Sequence, residues 1–448
     1  MKNYKHLLAA LALMLPAPAL AQYTIYPVPQ EQVAGTGTLS ITKEVYIVCE
    51  PGIDYATQQR AQEVLEEHGL TAVFSEDFAP DRTNLVLGTA GSGGAADQLA
   101  TSLSLSRDVF ARAGKFDRHL LSLSNDNAGN ALIVALGEHT DATFFALASL
   151  EQILDRGTQE LPAVTLYDFA DQQSRGLVEG YYGYPYSVEV KKDLMHFMKR
   201  YKMNTYLYGA KSDPYHSEKW KDAYPTELTE LQVKNGWMSQ DMIREVSETS
   251  ALTKVNFIWA IHPGNDFVYS STVVNDILSK YEKMYALGVR QFAVFVDDVG
   301  VPTSAQDLKA NADHLTALQR AIEDKWNTEG KAPADTVKPL HFVPQIYCTS
   351  FAPSTEVYNN FFQALAATPK YVTIYTTGGG VWSVPNSTDL AAPATQLGRN
   401  VAWWWNYPCN DNADSQVFPM DTYTNFYDMP SVWATPHSPP TSRAAWAS

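Results

Sequence analysis

The run "QFAVFVDD", Gln291 to Asp298, carries an apolar stretch straight into two adjacent aspartates, Asp297 and Asp298. Two carboxylates held together do not ionise independently: one pKa is pushed up, and that group stays protonated as an acid near neutral pH. Such a pair suits general acid catalysis. Other apolar runs also end in polar residues: Glu179 and Gly180, Lys211 and Asp213, His262, Tyr347, Thr377, and the set Trp404, Asn406 and Asp411. Tyr, Trp, Asn and Lys around two carboxylates resemble a sugar site, where aromatic faces stack on the ring and polar groups read hydroxyls. The usual glycosidase pair, however, lies about 5–9.5 Å apart across the scissile bond, and adjacent residues of one strand end do not straddle a bond in that way. A substrate-assisted reaction removes the conflict, because the sugar's own 2-acetamido oxygen is then the nucleophile.

Each of these residues has a plainer reading. An Asp-Asp pair after a strand often starts a loop or caps a helix. Adjacent aspartates can hold a divalent metal, although neither H-x-H nor H-E-x-x-H accompanies them here. His216 and His262 read more readily as structural than as ligands, "VAWWWNY" also reads as core, and Glu179 also reads as a buried ion-pair partner. What favours chemistry is their coincidence at the ends of successive runs.

Those runs define the elements. From about residue 171 a helix alternates with a short apolar run: "GLVEGYYG", "TYLYGAKSD", "VNFIWAIHPG", "QFAVFVDD", "HFVPQIY", "VTIYTTGGG" and "VAWWWNYPCND". Helical spacing is clear in Leu194, Phe197, Met198 and Tyr201 before the second run. It recurs in Leu278, Tyr281, Met284 and Tyr285 before the fourth, with Gly288 as the stop. Continuous apolar strands alternating with helices predict a parallel sheet buried on both faces. Seven strands predict a (β/α)8 TIM barrel with one strand still to find, and in such barrels the site lies at the C-terminal strand ends.

Residues 22–170 read as a small α/β domain with strands at "EVYIVCE", "TNLVLG" and "ALIVALG". A helix over 140–154 places Phe144, Leu147, Leu150 and Leu154 on one face and stops near Gly157. Here "GSGGAA", Gly91 to Ala96, matches G-x-G-x-x-A, but a surface turn accounts for the glycines and the rest of a dinucleotide fold is missing.

The chain has 448 residues, 45% hydrophobic and 12% aromatic, enough for more than one core. Its formal charge of −16 argues against nucleic acid as a partner, which needs clustered Lys and Arg, and makes neutral substrates a better fit than polyanions. Cys49, Cys348 and Cys409 are too few for a disulfide framework and too scattered for zinc; one bridge stays open. Residues 1–21, with lysines, an apolar run and Ala19-Leu20-Ala21, predict a secretory signal peptide and a secreted or periplasmic protein. No later segment predicts a membrane span.

The stretches "RGLVEGYYGYPYS", "KMNTYLYGAKSDPYH", "VNFIWAIHPG", "KMYALGVRQFAVFVDDVG" and "AWWWNYP" resemble, in order, the motifs of glycoside hydrolase family 84, the β-N-acetylglucosaminidases that include O-GlcNAcases and hyaluronidase-type enzymes. The resemblance covers about 170–430, and the preceding unit resembles the small α/β domain that commonly leads into this barrel. It implies a retaining exo-enzyme that releases terminal N-acetylglucosamine from a glycan or glycoprotein through an oxazoline, with no cofactor and no metal. By it, Asp297 orients the acetamido group and Asp298 is the general acid and then base. It further implies that Gly180 and Lys211 contact sugar hydroxyls, Tyr347 bonds the acetamido group, and Thr377 and Val381 line the pocket. Trp404 forms the aromatic wall, and Asn406 and Asp411 hold further hydroxyls.

Two departures accompany the resemblance. Glycines in "TTGGGVWS" replace charged residues that relatives often carry, which predicts a looser or differently selective loop. After "DTYTNFYDMPSV" residues 431–448 are Pro- and Ser-rich, so the barrel is expected to lack its last strand. That leaves two further readings, a non-catalytic N-acetylglucosamine-binding protein and a metal-dependent barrel hydrolase.

Overall fold

The computed structural model describes residues 23–381, 383 and 387–406. The first part of the chain builds a mixed sheet from β1 (Glu31–Leu39), β2 (Glu44–Cys49), β3 (Thr71–Ser75), β4 (Thr83–Thr89), β5 (Phe116–Asn125), β6 (Ala131–Gly137) and β7 (Leu161–Ala170). Its order is β1-β7-β5-β6-β4-β2-β3. The strands expected from continuous apolar runs, β2, β4 and β6, form its parallel part with the edge strand β3. β1, β5 and β7 pair antiparallel. Helices α1 (Tyr55–Glu67), α2 (Ala95–Ser102) and α3 (Thr140–Leu154) complete the unit.

Helix α3 has the bounds its spacing predicts, but it is not amphipathic in place: Ala142 through Leu154 are all buried. One side packs on the sheet, and the other meets the second half of the chain. There Lys254 lies 5.7 Å from the Phe144 ring centre and Arg175 lies 5.3 Å from that of Phe145. Ion pairs cross the same joint, Lys202 to Asp168 at 2.6 Å, Arg175 to Asp117 at 2.7 Å and Lys199 to Glu63 at 2.6 Å.

The second half follows the alternation read from the sequence. Strands β8 (Gly176–Glu179), β9 (Thr205–Tyr208), β10 (Asn256–Ile261), β11 (Gln291–Phe295), β12 (His341–Val343), β13 (Thr373–Thr376) and β14 (Ala402–Trp403) lie one inside each predicted run. They pair in sequential order, every pair parallel. Between them run α4 (Val188–Arg200), α5 (Glu230–Lys234), α6 (Gln240–Thr253), α7 (Asp266–Tyr269), α8 (Val273–Tyr285), α9 (Ala305–Trp326), α10 (Thr355–Leu365) and α11 (Ser387–Leu397). The sheet curls, because Trp404 after its last strand lies against Gly180 after its first; a Cβ on Gly180 would come within 2.9 Å of the indole. The residues in which an eighth strand was sought, with Asp411, Cys409 and the Pro- and Ser-rich tail, lie outside the described residues.

Helix α8 shows why the elements sit where they do. Tyr281 and Met284 are buried, and Tyr281 stacks on Phe292 of β11 at 4.1 Å between ring centres. Gly288 ends the helix with φ 97°, which glycine adopts without the clash of a Cβ. In α4 the predicted face is rotated: Met195 and Met198 are buried while Phe197 is 53% exposed, tilted against Tyr201 at 4.8 Å between ring centres.

Candidate active site

Strand β11 is buried throughout and delivers Val296 and Asp297 to the C-terminal end of the sheet. Alternation along a strand would send Asp297 and Asp298 to opposite faces. The backbone breaks it: Asp298 has φ 60°, the left-handed region that Asp enters more readily than most residues. Both carboxyls then reach groups brought by neighbouring strand ends.

Their surroundings differ. Asp297 Oδ2 accepts from Lys211 Nζ at 2.5 Å, on the loop after β9. Burial works to raise the Asp297 pKa, but the Lys211 charge, the adjacent His262 and the Lys211 hydrogen bond outweigh it and hold the carboxyl below its ordinary value. Asp297 is thus not the member of the pair that is pushed up, since the nearby cation outweighs burial. Its other oxygen, Oδ1, is buried and has no hydrogen-bond partner.

Asp298 is exposed and held by two phenols. Tyr347, after β12, donates to Oδ1 at 3.1 Å, and Tyr182, after β8, donates to Oδ2 at 3.3 Å. Burial and then the neighbouring aspartates raise the Tyr347 pKa; burial and the same carboxylates, against Lys211, raise that of Tyr182. Both phenols therefore keep their protons as donors. Tyr182 carried no assignment from sequence; its signal is the tyrosine run "GYYGYPY" directly after a strand end.

An aromatic side chain follows the last strand at the same end of the sheet. Trp404 stands edge-on to Phe295 at 5.4 Å and to Tyr375 at 5.8 Å. Its Nε1 donates to Asn406 Oδ1 at 2.8 Å, and Asn406 Nδ2 donates to the Val381 carbonyl at 2.8 Å. Gly180 leaves room for the indole, so its part in the geometry is to lack a side chain. Thr377 is buried; its N–H donates to the Tyr347 carbonyl at 2.7 Å and its hydroxyl to that of Gly380 at 3.1 Å.

The glycine loop is not loose. The Gly379 N–H donates to Asp389 at 3.1 Å and that of Gly380 to Ser383 at 2.6 Å, while Ser350 N–H reaches the Gly379 carbonyl at 3.1 Å. Gly378, at φ 88°, lies where a Cβ would meet the Trp403 ring at 2.6 Å, so that glycine is required by the fold.

Glu179 takes its plainer reading. It is 1% exposed, pairs with Lys191 at 3.2 Å and accepts from Tyr206 at 2.6 Å and the Tyr186 N–H at 2.7 Å. Burial raises its pKa and lowers that of Lys191. Asp213 is likewise enclosed, accepting from Tyr208 at 2.7 Å and Tyr224 at 2.6 Å. Among the described residues no group of three or more His, Cys, Asp or Glu is placed to hold a metal ion. Cys49 and Cys348 are free thiols. The "GSGGAA" turn is filled by the chain itself. Glu50 accepts from the Ala96 N–H at 2.9 Å and Ser92 at 2.7 Å, and a Cβ on Gly88 or Gly94 would strike its carboxylate.

A half-buried carboxylate paired with a lysine, beside an exposed one, at the C-terminal ends of a curled parallel sheet with an aromatic side chain after its last strand, is an arrangement suited to carbohydrate hydrolysis. Comparison with known proteins narrows the class. Residues 175–431 match the family described as beta-N-acetylglucosaminidase, and residues 22–169 match the second domain of glycosyl hydrolase family 20. The first match spans more than half of the chain, which belongs to this beta-N-acetylglucosaminidase family of glycoside hydrolases. The protein O-GlcNAcases of Rattus norvegicus and Mus musculus are each 27% identical to it over 177 residues, 39% of this chain and 18% of theirs.

Of solved structures, CpGH84D superposes with a TM-score of 0.74 at 30% identity, over 87% of this chain and 61% of that one. CpGH84B gives 0.67 at 25% identity, over 88% and 63%. The chain thus spans less than a fifth of the curated relatives and about three fifths of these structures. No helix among the described residues is long and apolar enough to cross a membrane.

Proposed function

We propose that the chain is a retaining exo-β-N-acetylglucosaminidase that works by substrate assistance. The observation that carries this reading is Asp297: one oxygen is neutralised by Lys211, and the other is a buried acceptor with no partner. A carboxylate kept ionised in that way accepts an N–H of substrate, and the acetamido N–H of N-acetylglucosamine supplies one. Polarised by that bond, the acetamido oxygen attacks the anomeric carbon, and the bond to the leaving oxygen breaks as Asp298 gives that oxygen its proton. The products are a cyclic oxazoline still protonated on nitrogen, its N–H held by the Asp297 carboxylate, and the free aglycone. Water then attacks the anomeric carbon and returns its proton to Asp298, reopening the ring with retained configuration. Tyr182 and Tyr347 stabilise the Asp298 carboxylate left by the first step. Trp404 offers the sugar a flat face, and Lys211, Asn406 and, outside the described residues, Asp411 offer polar contacts.

A (β/α)8-type barrel over 171–430, preceded by a domain over 22–170, suits this reading, and the approach of Trp404 to Gly180 supports the curl of its sheet. The substrate is a neutral glycan or glycoprotein bearing terminal N-acetylglucosamine, as the names of the relatives and the acidic charge suggest. The leader-like residues 1–21 support export from the cell. The test is hydrolysis of an aryl N-acetyl-β-glucosaminide beside the plain β-glucoside, with Asp298→Ala as control. Cleavage of the N-acetyl substrate alone, lost for poor leaving groups in the variant, is expected. Equal cleavage of both sugars, or tight inhibitor binding without turnover by the parent chain, overturns the reading, the second in favour of a binding protein.

A further inference from the structure

His262 follows β10 directly, and its Nε2 lies 2.8 Å from the main-chain oxygen of Asp297. A carbonyl only accepts, so Nε2 carries the proton and spends it there. The same nitrogen is 3.7 Å from Asp297 Oδ1 and makes no hydrogen bond to it. The ring is held from behind. The His262 N–H donates to the His216 carbonyl at 2.7 Å, and His216 Nδ1 donates to that of Ala260 at 2.8 Å. His216 stands edge-on to His262 at 5.8 Å and to Phe295 at 5.6 Å. Gly209 makes this packing feasible, because a Cβ there would lie 2.4 Å from the Phe295 ring and 3.1 Å from His216.

The groups facing His262 are the Asp297 carboxylate, the Lys211 ammonium and the His216 ring. Burial keeps both imidazoles neutral near pH 7, aided for His216 by its neighbour. A charged ring at this position would compete for Oδ1.

We propose that His262 is a positioning residue for the carboxylate pair: its bond to the Asp297 carbonyl fixes the turn into left-handed Asp298, and as a neutral donor already engaged it leaves Asp297 Oδ1 open to substrate. The second half of this inference rests on the substrate-assisted reading above; the first half does not. His216 is the brace that orients the ring.

The test compares H262L, which loses the donor, with H262Q, whose amide reaches the same carbonyl, each also in a D297N background. On an aryl N-acetyl-β-glucosaminide H262L is expected to lose about tenfold to a hundredfold in kcat, the scale of a small misplacement at a reacting centre, with H262Q recovering most of it. In the D297N background, which keeps the main-chain carbonyl, the share of the H262L loss that comes through Oδ1 should vanish and the share from the Asp298 turn should remain, so the two losses should differ by more than the roughly twofold scatter of additive changes. A merely structural role would instead give the same loss in both backgrounds and no rescue by Gln, which overturns the proposal. Should the parent chain fail to cleave the substrate, the functional reading falls while a crystal structure still decides the turn. If H262L does not fold, H262N, whose amide is too short, replaces it in both arms. Asp298 leaving the left-handed region in that variant supports the inference; Asp298 and the Asp297 carbonyl unmoved refutes it.

Discussion

Removing the Lys211 charge should move the acid limb of activity toward neutral pH. In the parent the folded-state pKa of Asp297 is depressed. The ion pair therefore contributes stability above the ordinary carboxylate pKa, and that contribution is lost as pH falls through the lower folded value. In Lys211→Met burial, which raises the pKa, is opposed only by His262 and His216, so the folded-state pKa moves upward and the stability contributed above the ordinary carboxylate pKa shrinks. Two unit charges about 4 Å apart at an effective dielectric near 20 attract by about 4 kcal/mol, equivalent to about three pH units at roughly 1.4 kcal/mol each. The contact is closer than that, at 2.5 Å, while the side chains keep 11% and 14% of their exposure at the mouth. We therefore expect the acid limb of kcat/KM to rise by one to three pH units, approximately the range this Coulomb energy allows.

The assay is the pH profile of an aryl N-acetyl-β-glucosaminide between pH 3 and 9, on the approximate scale over which carboxyl and histidine groups titrate. A lost sugar contact would raise KM evenly across that range, so the limb position separates the two roles of the lysine. An acid limb that stays put in the variant, whatever happens to KM, would refute the claim that Lys211 keeps Asp297 ionised.

Two further perturbations probe the frame around the pair. Gly180→Ala places a Cβ 2.9 Å from Trp404 and should push the indole aside; steady-state kinetics should show KM up by about tenfold and unfolding a loss of about 1–3 kcal/mol, and an unchanged KM would remove Trp404 from the sugar wall. Lys191→Met leaves Glu179 buried without its cation; denaturant titration should show a loss of about 3–5 kcal/mol, largely restored by adding Glu179→Gln, and a loss near zero would mean that Glu179 is neutral in the parent.

The second half of the chain was legible because a parallel strand covered on both faces must be apolar throughout, and a helix between such strands must show its own period. "QFAVF" and the α8 spacing are of that kind. Strands β1, β5 and β7 were not, since antiparallel strands with one wetter face, such as β1 with its mostly exposed "EQVAGTGT", leave little apolar signal. The face of α4 was misjudged because helical spacing alone does not say which of two adjacent apolar rows meets the sheet. At the site, residue types and strand ends were enough to name the participants. They could not say that Lys211 would reach Asp297, that Asp298 would turn left-handed, or that Tyr182 would reach back over the pair. Those follow from loop conformations set by contacts distant in sequence, such as the approach of Phe295 to Gly209.

What marks the site is how its carboxylates are left. Glu50 sits in a cradle of glycines and backbone N–H groups that would suit a ligand anion, yet its own contacts fill it. Glu179 and Asp213 are buried and enclosed by phenols, backbone N–H groups and, for Glu179, an ammonium. A buried carboxylate oxygen without a hydrogen bond costs folding free energy, so chains fill such places wherever structure alone is at stake. Among the described residues Asp297 Oδ1 is the one buried carboxylate oxygen left without a hydrogen bond. Lys211 and His262 stand close enough to have closed it, and each is turned to another acceptor, Oδ2 or the main-chain carbonyl. An acceptor kept ionised and open at the end of a rigid strand, next to an acid within reach of solvent, is poised for a donor that arrives with the substrate.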